Sequence, residues 1–392
     1  MALTDRARSL TSPALGAAFA AVMVATVPAT PQPAEPVHVV VWRETGRYGG
    51  WPANHGIWSW GNEVLVGFSA GHMKAAVVTA NGAPAGHPID RTRPEQHLLA
   101  RSLDGGLTWS VEHPQGLVPP PEPGHIAGVP TETGGRAVRP YPGDRDLTSP
   151  DFVMTFRMSD IHTGPSWFFT SADRGHTWEG PWSLSVPDVA HIAARTDYVV
   201  RGRREALVLL TSAKSNLKEG RPFVAHTTDG GRTFTRLSWI GPEPDDGFVI
   251  MPSTVRLGGG ALVTATRRQG KAGNGIDIHR SQDGGRTWRM IAPNVAGTGR
   301  GNPPCLVALR DGRLALTYGY RAEPFGIRAR LSRDGGQTWD AERVLRADAS
   351  DWDLGYTRTV QRPDGRLVTV YYYNDRSAVE RYIAATIWDP GE

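Results

Sequence analysis

The sequence predicts an all-β chain wound into a six-bladed β-propeller. Three observations carry that reading. One turn motif recurs at near-regular spacing, the apolar runs are short and alternating, and glycine and proline are abundant (46 and 31 of 392 residues). The motif first occurs as Ser102-Leu103-Asp104-Gly105-Gly106-Leu107-Thr108-Trp109, and four further copies start at Ser171, Thr227, Ser281 and Ser332. Measured between its aspartates (Asp104, Asp173, Asp229, Asp283, Asp334), the gaps are 69, 56, 54 and 51 residues. Each gap matches a four-stranded blade with its connections. Asp-Gly favours a tight hairpin, because glycine takes positive φ without a steric penalty and the Asp side chain binds nearby backbone N–H groups. The Ser or Thr two residues earlier helps close the turn, and the Trp or Phe packs as a plug. The copies therefore read as structural.

The strands follow from alternation. Glu63-Val64-Leu65-Val66-Gly67-Phe68 and Arg313-Leu314-Ala315-Leu316-Thr317-Tyr318 are examples, and no long amphipathic helical pattern is present. Inner halves of blades are expected to begin near Trp51, Pro150, Ile192, Val249, Asn302 and Tyr356. The strand His38-Val39-Val40-Val41-Trp42 has no local partner. It is expected to complete the final blade beside Tyr382–Trp388, so that no sheet edge is left open.

Composition narrows the function. With 39% hydrophobic and 21% charged residues, the chain is of ordinary globular type. The net charge of +4 is scattered, with no Lys/Arg tract, which argues against nucleic-acid binding. Cys305 is the single cysteine and lies in an apolar strand, so an inert buried thiol is expected and an internal disulfide is excluded. No spacing specifies zinc or calcium, and no cofactor motif is visible. Arg6 and Arg8 precede the apolar run Ala14–Ala25, and small residues follow at Val27-Pro28-Ala29. This reads as a signal peptide over 1–29, too short for a stable membrane span, then a Pro-rich linker over 30–36 and one propeller domain over 37–392. A secreted protein is expected.

The five motifs, of the form S/T-x-D-x-G-x-T-W/F, resemble the Asp-box repeats of the sialidase superfamily across roughly residues 37 to 390. The resemblance implies a glycoside hydrolase of exo-α-sialidase type. Such enzymes use three arginines on the substrate carboxylate, a tyrosine nucleophile assisted by a glutamate, and an aspartate acid/base. Two positions depart from that pattern. Gly50 stands where the first arginine belongs, in Gly49-Gly50-Trp51-Pro52-Ala53-Asn54-His55, and Met251-Pro252-Ser253-Thr254 occupies the place of the glutamate.

Site expectations follow strand by strand. His55 is a candidate proton-transfer or sugar contact, beside Trp51 as a stacking face. The loop from His87 to His97 is the densest polar cluster, and the resemblance makes Asp90 the acid/base, with Glu95 its competitor. Asp151 is expected on an inner strand. Arg195 and Asp197 share a strand face, to meet substrate or each other. Arg300 offers a guanidinium on a glycine-rich approach. Tyr356 and Arg358 resemble the segment near the sialidase nucleophile, with Tyr356 as nucleophile or stabiliser and Arg358 as a carboxylate clamp. Three readings stay open: a hydrolase acting on an acidic glycan, a propeller polysaccharide lyase acting on uronates, and a non-catalytic propeller binding glycan or protein.

Overall fold

The computed structural model describes residues 1–2, 35–75, 86–93, 95–114, 116–117 and 137–391. The expected signal peptide and most of the expected linker lie outside the described residues. Among those described, no helix is long and apolar enough to cross a membrane.

The chain is all-β, with antiparallel ladders arranged as a propeller. Among the described residues, four discrete sheets hold five, four, four and three strands, and a fifth sheet holds nine. The expectation of six blades is thus met only in part. The strands expected in the first and last blades are merged into the nine-stranded sheet by one parallel pairing, Tyr48 with Arg381. Strand Val37–Trp42 pairs antiparallel with Ala378–Trp388, from Val37 opposite Ile387 to Trp42 opposite Ile383.

The recurrent Asp turns join the last two strands of successive sheets, and all five share one hydrogen-bond scheme. The glycine N–H donates to the Ser or Thr hydroxyl at 2.7–2.9 Å. The Thr hydroxyl donates to Asp Oδ2 at 2.6 Å in every copy. These bonds span four residues at most, so the motif folds from local chemistry. The turns also fix direction, because each strand that feeds one runs toward the turn end of the sheet.

Packing between sheets supplies the core. Phe156 and Phe168 stack at 5.4 Å and meet Val208, Leu210 and Phe223 of the next sheet. Leu314 and Leu316 meet Val263 and Ile278, and Tyr371 and Tyr373 meet Ala329 and Leu331. Each fully buried side chain of this size contributes about 1.5–3 kcal/mol through removal from water. Cys305 is buried, as its sequence setting suggests.

One element departs from the sequence reading. Val153–Met158 directly precedes Ser166–Ser171, which feeds the second Asp turn, and pairs Val153 with Ser171. Its start therefore lies at the turn end of the sheet, and it is not an inner strand beginning at the opposite end. Asp151 goes with it.

Candidate functional site

At the end away from the Asp turns, a cavity of about 330 Å³ opens between strand ends from several sheets. Its walls are aromatic (Trp51, Phe248, Tyr356), imidazole (His87, His162) and cationic (Arg91, Arg195, Arg267), with Glu219 as its acid. The volume suits a sugar-sized ligand.

Trp51 (φ 57°), Met251 (φ 53°) and Tyr356 (φ 51°), all non-glycine, have left-handed backbone beside the cavity. Each such conformation costs about 1–3 kcal/mol and persists only where its surroundings enforce it. At Tyr356 the cause is visible. A register shift between Gly355 and Arg358 forms a bulge. Buried Asn302 clamps it, accepting from the Tyr356 N–H at 3.0 Å and donating to Leu354 O at 2.9 Å. A Cβ at Gly355 (φ 104°) would lie 2.4 Å from the Asn302 amide, so only glycine fits there. The bulge re-aims Tyr356 into the cavity. At Trp51 the left-handed residue caps the short helical turn Pro52–His55 and places the indole on the cavity wall.

The cavity is electropositive. Arg195 pairs with Glu219, Nη2 to Oε2 at 3.3 Å. Arg321 sits with its guanidinium 5.5 Å from the Tyr356 ring centroid and donates to Tyr372 Oη at 2.6 Å. Arg267 is 9% exposed and forms no salt bridge among the described residues. Its Nε has no hydrogen-bond partner. Burial, together with Arg321 and Arg195 nearby, lowers its pKa, while Tyr356 and Glu219 oppose that shift. Arg267 thus brings a buried guanidinium with no salt bridge among the described residues to the cavity wall. His87 lies edge-on to Trp51 at 5.6 Å and packs 5.3 Å from buried Trp352.

Of the residues singled out from sequence, Trp51, Arg195 and Tyr356 line this cavity. The others lie elsewhere. Arg195 pairs with Glu219 rather than Asp197. Asp90 caps its own loop, accepting from the Thr92 hydroxyl at 2.7 Å and the Thr92 N–H at 3.0 Å. Those bonds hold its carboxyl below the usual range, the wrong direction for a general acid. The same loop brings His87 and Arg91 to the cavity instead. Glu95 is buried within electrostatic reach of Arg157. His55 is fully buried, its Nε2 2.9 Å from Ser69 Oγ. Asp151 is bound by Arg174 at 2.6 Å beside the second Asp turn, at the opposite end. Arg300 is exposed, 4.9 Å above the Trp352 ring.

Arg358 does not face the way Tyr356 does. Its Nη2 donates to Ala53 O and Thr196 O, both at 2.5 Å, tying three chain segments together beneath the cavity. Asp197 lies beside it, accepting from the Thr254 N–H at 3.1 Å. Burial pushes the Asp197 carboxyl up from 3.8 to about 7, against the pull of Arg358. The folded state therefore holds this proton more tightly than the unfolded chain. The resulting stability is fully present below about pH 4 and is lost as pH rises through 7. Asp197→Asn should leave the unfolding free energy unchanged near pH 4 and raise it by roughly 3 kcal/mol at pH 8. Denaturant melts at the two pH values check this; equal effects at both would refute it.

Sequence reasoning missed Glu219, Arg267, Arg321, His162 and the pair His87–Asp353. Arg267 carried a faint signal, a charged pair (Arg267-Arg268) closing an alternating apolar strand. The others come together only through register.

Fold and site define a β-propeller with a cationic, aromatic-walled cavity at the end of its channel opposite its Asp turns. The BNR repeat-like domain matches residues 162–369, over half of the chain, and the protein belongs to that family. No curated protein matches the chain. Among solved structures, one similar chain is a protein of unknown function from Dyadobacter fermentans (TM-score 0.67, 19% identity, 92% of this chain and 100% of that one). A Hadza microbial sialidase is similar at TM-score 0.56 and 13% identity, over 88% of this chain and 66% of that one. An α-L-arabinanase from Penicillium chrysogenum is similar at TM-score 0.53 and 12% identity, over 92% and 99%. These likenesses concern the fold alone; with the BNR repeat-like match, they bear out the resemblance to the sialidase superfamily.

Proposed function

We propose that this chain is a glycoside hydrolase acting on an acidic glycan. One observation carries the reading: Arg195, Arg267 and Arg321 converge around Tyr356 with Glu219 as the one acid of the cavity wall among the described residues. Such a field favours a carboxylate, and Trp51 and Phe248 offer apolar faces to a sugar ring. Tyr356 is the group we assign to the anomeric carbon, supported by its strained, clamped backbone and its surrounding guanidiniums. Arg267, on the cavity wall, has the carboxylate-binding role expected of Arg300 and Arg358, with Arg321 beside the Tyr356 ring. The sialidases and arabinanase among the similar propellers support a glycan as substrate.

We also read the ring as six blades closed by the N-terminal strand, supported by the pairing of Val37–Trp42 with Ala378–Trp388. Export remains part of the proposal, supported by the Arg6/Arg8 and Ala14–Ala25 pattern.

The test is turnover of fluorogenic sialosides, uronides and arabinosides by the purified chain. Release from an acidic glycoside supports the reading. Release from arabinosides alone contradicts the acidic sugar. An unsaturated, ultraviolet-absorbing product from uronate polymers, without hydrolysis, identifies a lyase instead.

A further inference from the structure

We propose that His87, held by Asp353, is the proton-transfer group of this site; the proposal rests on the hydrolase reading above. His87 Nδ1 lies 2.6 Å from Asp353 Oδ1. Asp353 is fully buried and also accepts from Tyr372 Oη at 2.7 Å, Tyr48 Oη at 3.2 Å and Arg381 Nε at 3.0 Å. Four donors surround this carboxylate, so it stays ionised and accepts only. Burial opposes that charge, but His87, Arg381 and Arg321 outweigh it and keep the carboxyl well below its usual range. Nδ1 of His87 must therefore carry the hydrogen, and Nε2 is the nitrogen left for exchange on a ring that lines the cavity.

The other imidazole in the wall is fixed in the opposite sense. His162 Nδ1 accepts the backbone N–H of Glu219 at 3.1 Å. Its Nε2 then carries the hydrogen, and charging the ring would break the bond that positions it. Of the two imidazoles, His87 alone has a ring nitrogen bonded to a carboxylate, among the described residues. It also packs between Trp51, on the cavity wall, and buried Trp352, which hold the ring in place.

The proton balance is closed within one turnover. The imidazolium gives its Nε2 proton to the glycosidic oxygen as the bond from that oxygen to the anomeric carbon breaks; the electron pair leaves with that oxygen as a neutral alcohol, and the anomeric carbon is left as an oxocarbenium ion facing Tyr356. The imidazole then takes a proton from the water whose oxygen bonds to the anomeric carbon. The hemiacetal is released and the imidazolium restored.

The experiment is leaving-group dependence in His87→Gln, using p-methoxyphenyl and 2,4-dinitrophenyl glycosides of sialic acid and glucuronic acid. His87 is 27% exposed, so the variant should fold, with its melting midpoint measured alongside. We expect kcat/KM for the p-methoxyphenyl substrate to fall on the order of 10²-fold or more, because that leaving group needs protonation. The dinitrophenyl substrate, which leaves as a stable anion, should keep near wild-type rates. Equal losses on both substrates, or no loss on either, would overturn the assignment while leaving the hydrolase reading intact. A wild type inert to all four glycosides would overturn the hydrolase reading and this assignment with it.

Discussion

Tyr356→Phe lowers kcat on the best acidic glycoside by about 10³-fold, while the melting midpoint holds. The reason lies in how the residue is placed. The bulge, the Asn302 clamp and the 5.9 Å edge-on contact with Tyr372 hold the ring, and none of them uses its hydroxyl. Removing one oxygen therefore leaves the backbone strain and the packing as they were. What is lost is the oxygen that three guanidiniums surround, each within electrostatic reach. That oxygen is the atom that would meet an electron-poor anomeric carbon. Steady-state kinetics beside a thermal melt decide the matter. A variant that keeps its activity ends the assignment; one that melts early says the hydroxyl is structural.

Arg267→Met should do two opposite things. It should lower kcat/KM for the acidic substrate by about 10²-fold, the worth of a charged hydrogen-bonded contact of roughly 3 kcal/mol. It should also raise stability, by about 1 kcal/mol, because Arg267 is buried without a salt bridge among the described residues and Met fills similar volume without that desolvation cost. The coupling of lost activity to gained stability is the mark of a charge kept for a ligand. Arg195 should not behave this way. It is neutralised by Glu219, and Arg195→Met leaves that buried acid uncompensated, so it should lose stability as well as activity. A destabilised Arg267→Met variant would show that the guanidinium is a structural strut.

The contrast between what could and could not be read from sequence has a physical basis. The Asp turns were legible because their hydrogen bonds close within four residues. Tyr356 was legible because it stands at a strand start in a segment that resembles the one near the sialidase nucleophile. Arg267 and Arg321 were not. They lie toward the outgoing ends of Leu262–Gly270 and Leu314–Tyr320, and only register brings them to the cavity, Arg267 opposite Ile250 and Arg321 bridged to Gly299. The misplacement of Asp151 has a similar origin. Nothing within Pro150-Asp151-Phe152 tells which end of the sheet it occupies; the next strand does, because it runs into an Asp turn. Asp90 and His87 are three residues apart in one loop, and either could reach the cavity. Asp90 spends its carboxylate on Thr92, and His87 is drawn across by Asp353, 266 residues further on.

The most direct measurement of the central claim is kcat/KM for the same aryl glycoside as free acid and as methyl ester. The account predicts that the acid is preferred by on the order of 10²-fold, and that Arg267→Met removes most of that preference. Equal rates for acid and ester, or a preference untouched by Arg267→Met, would contradict it.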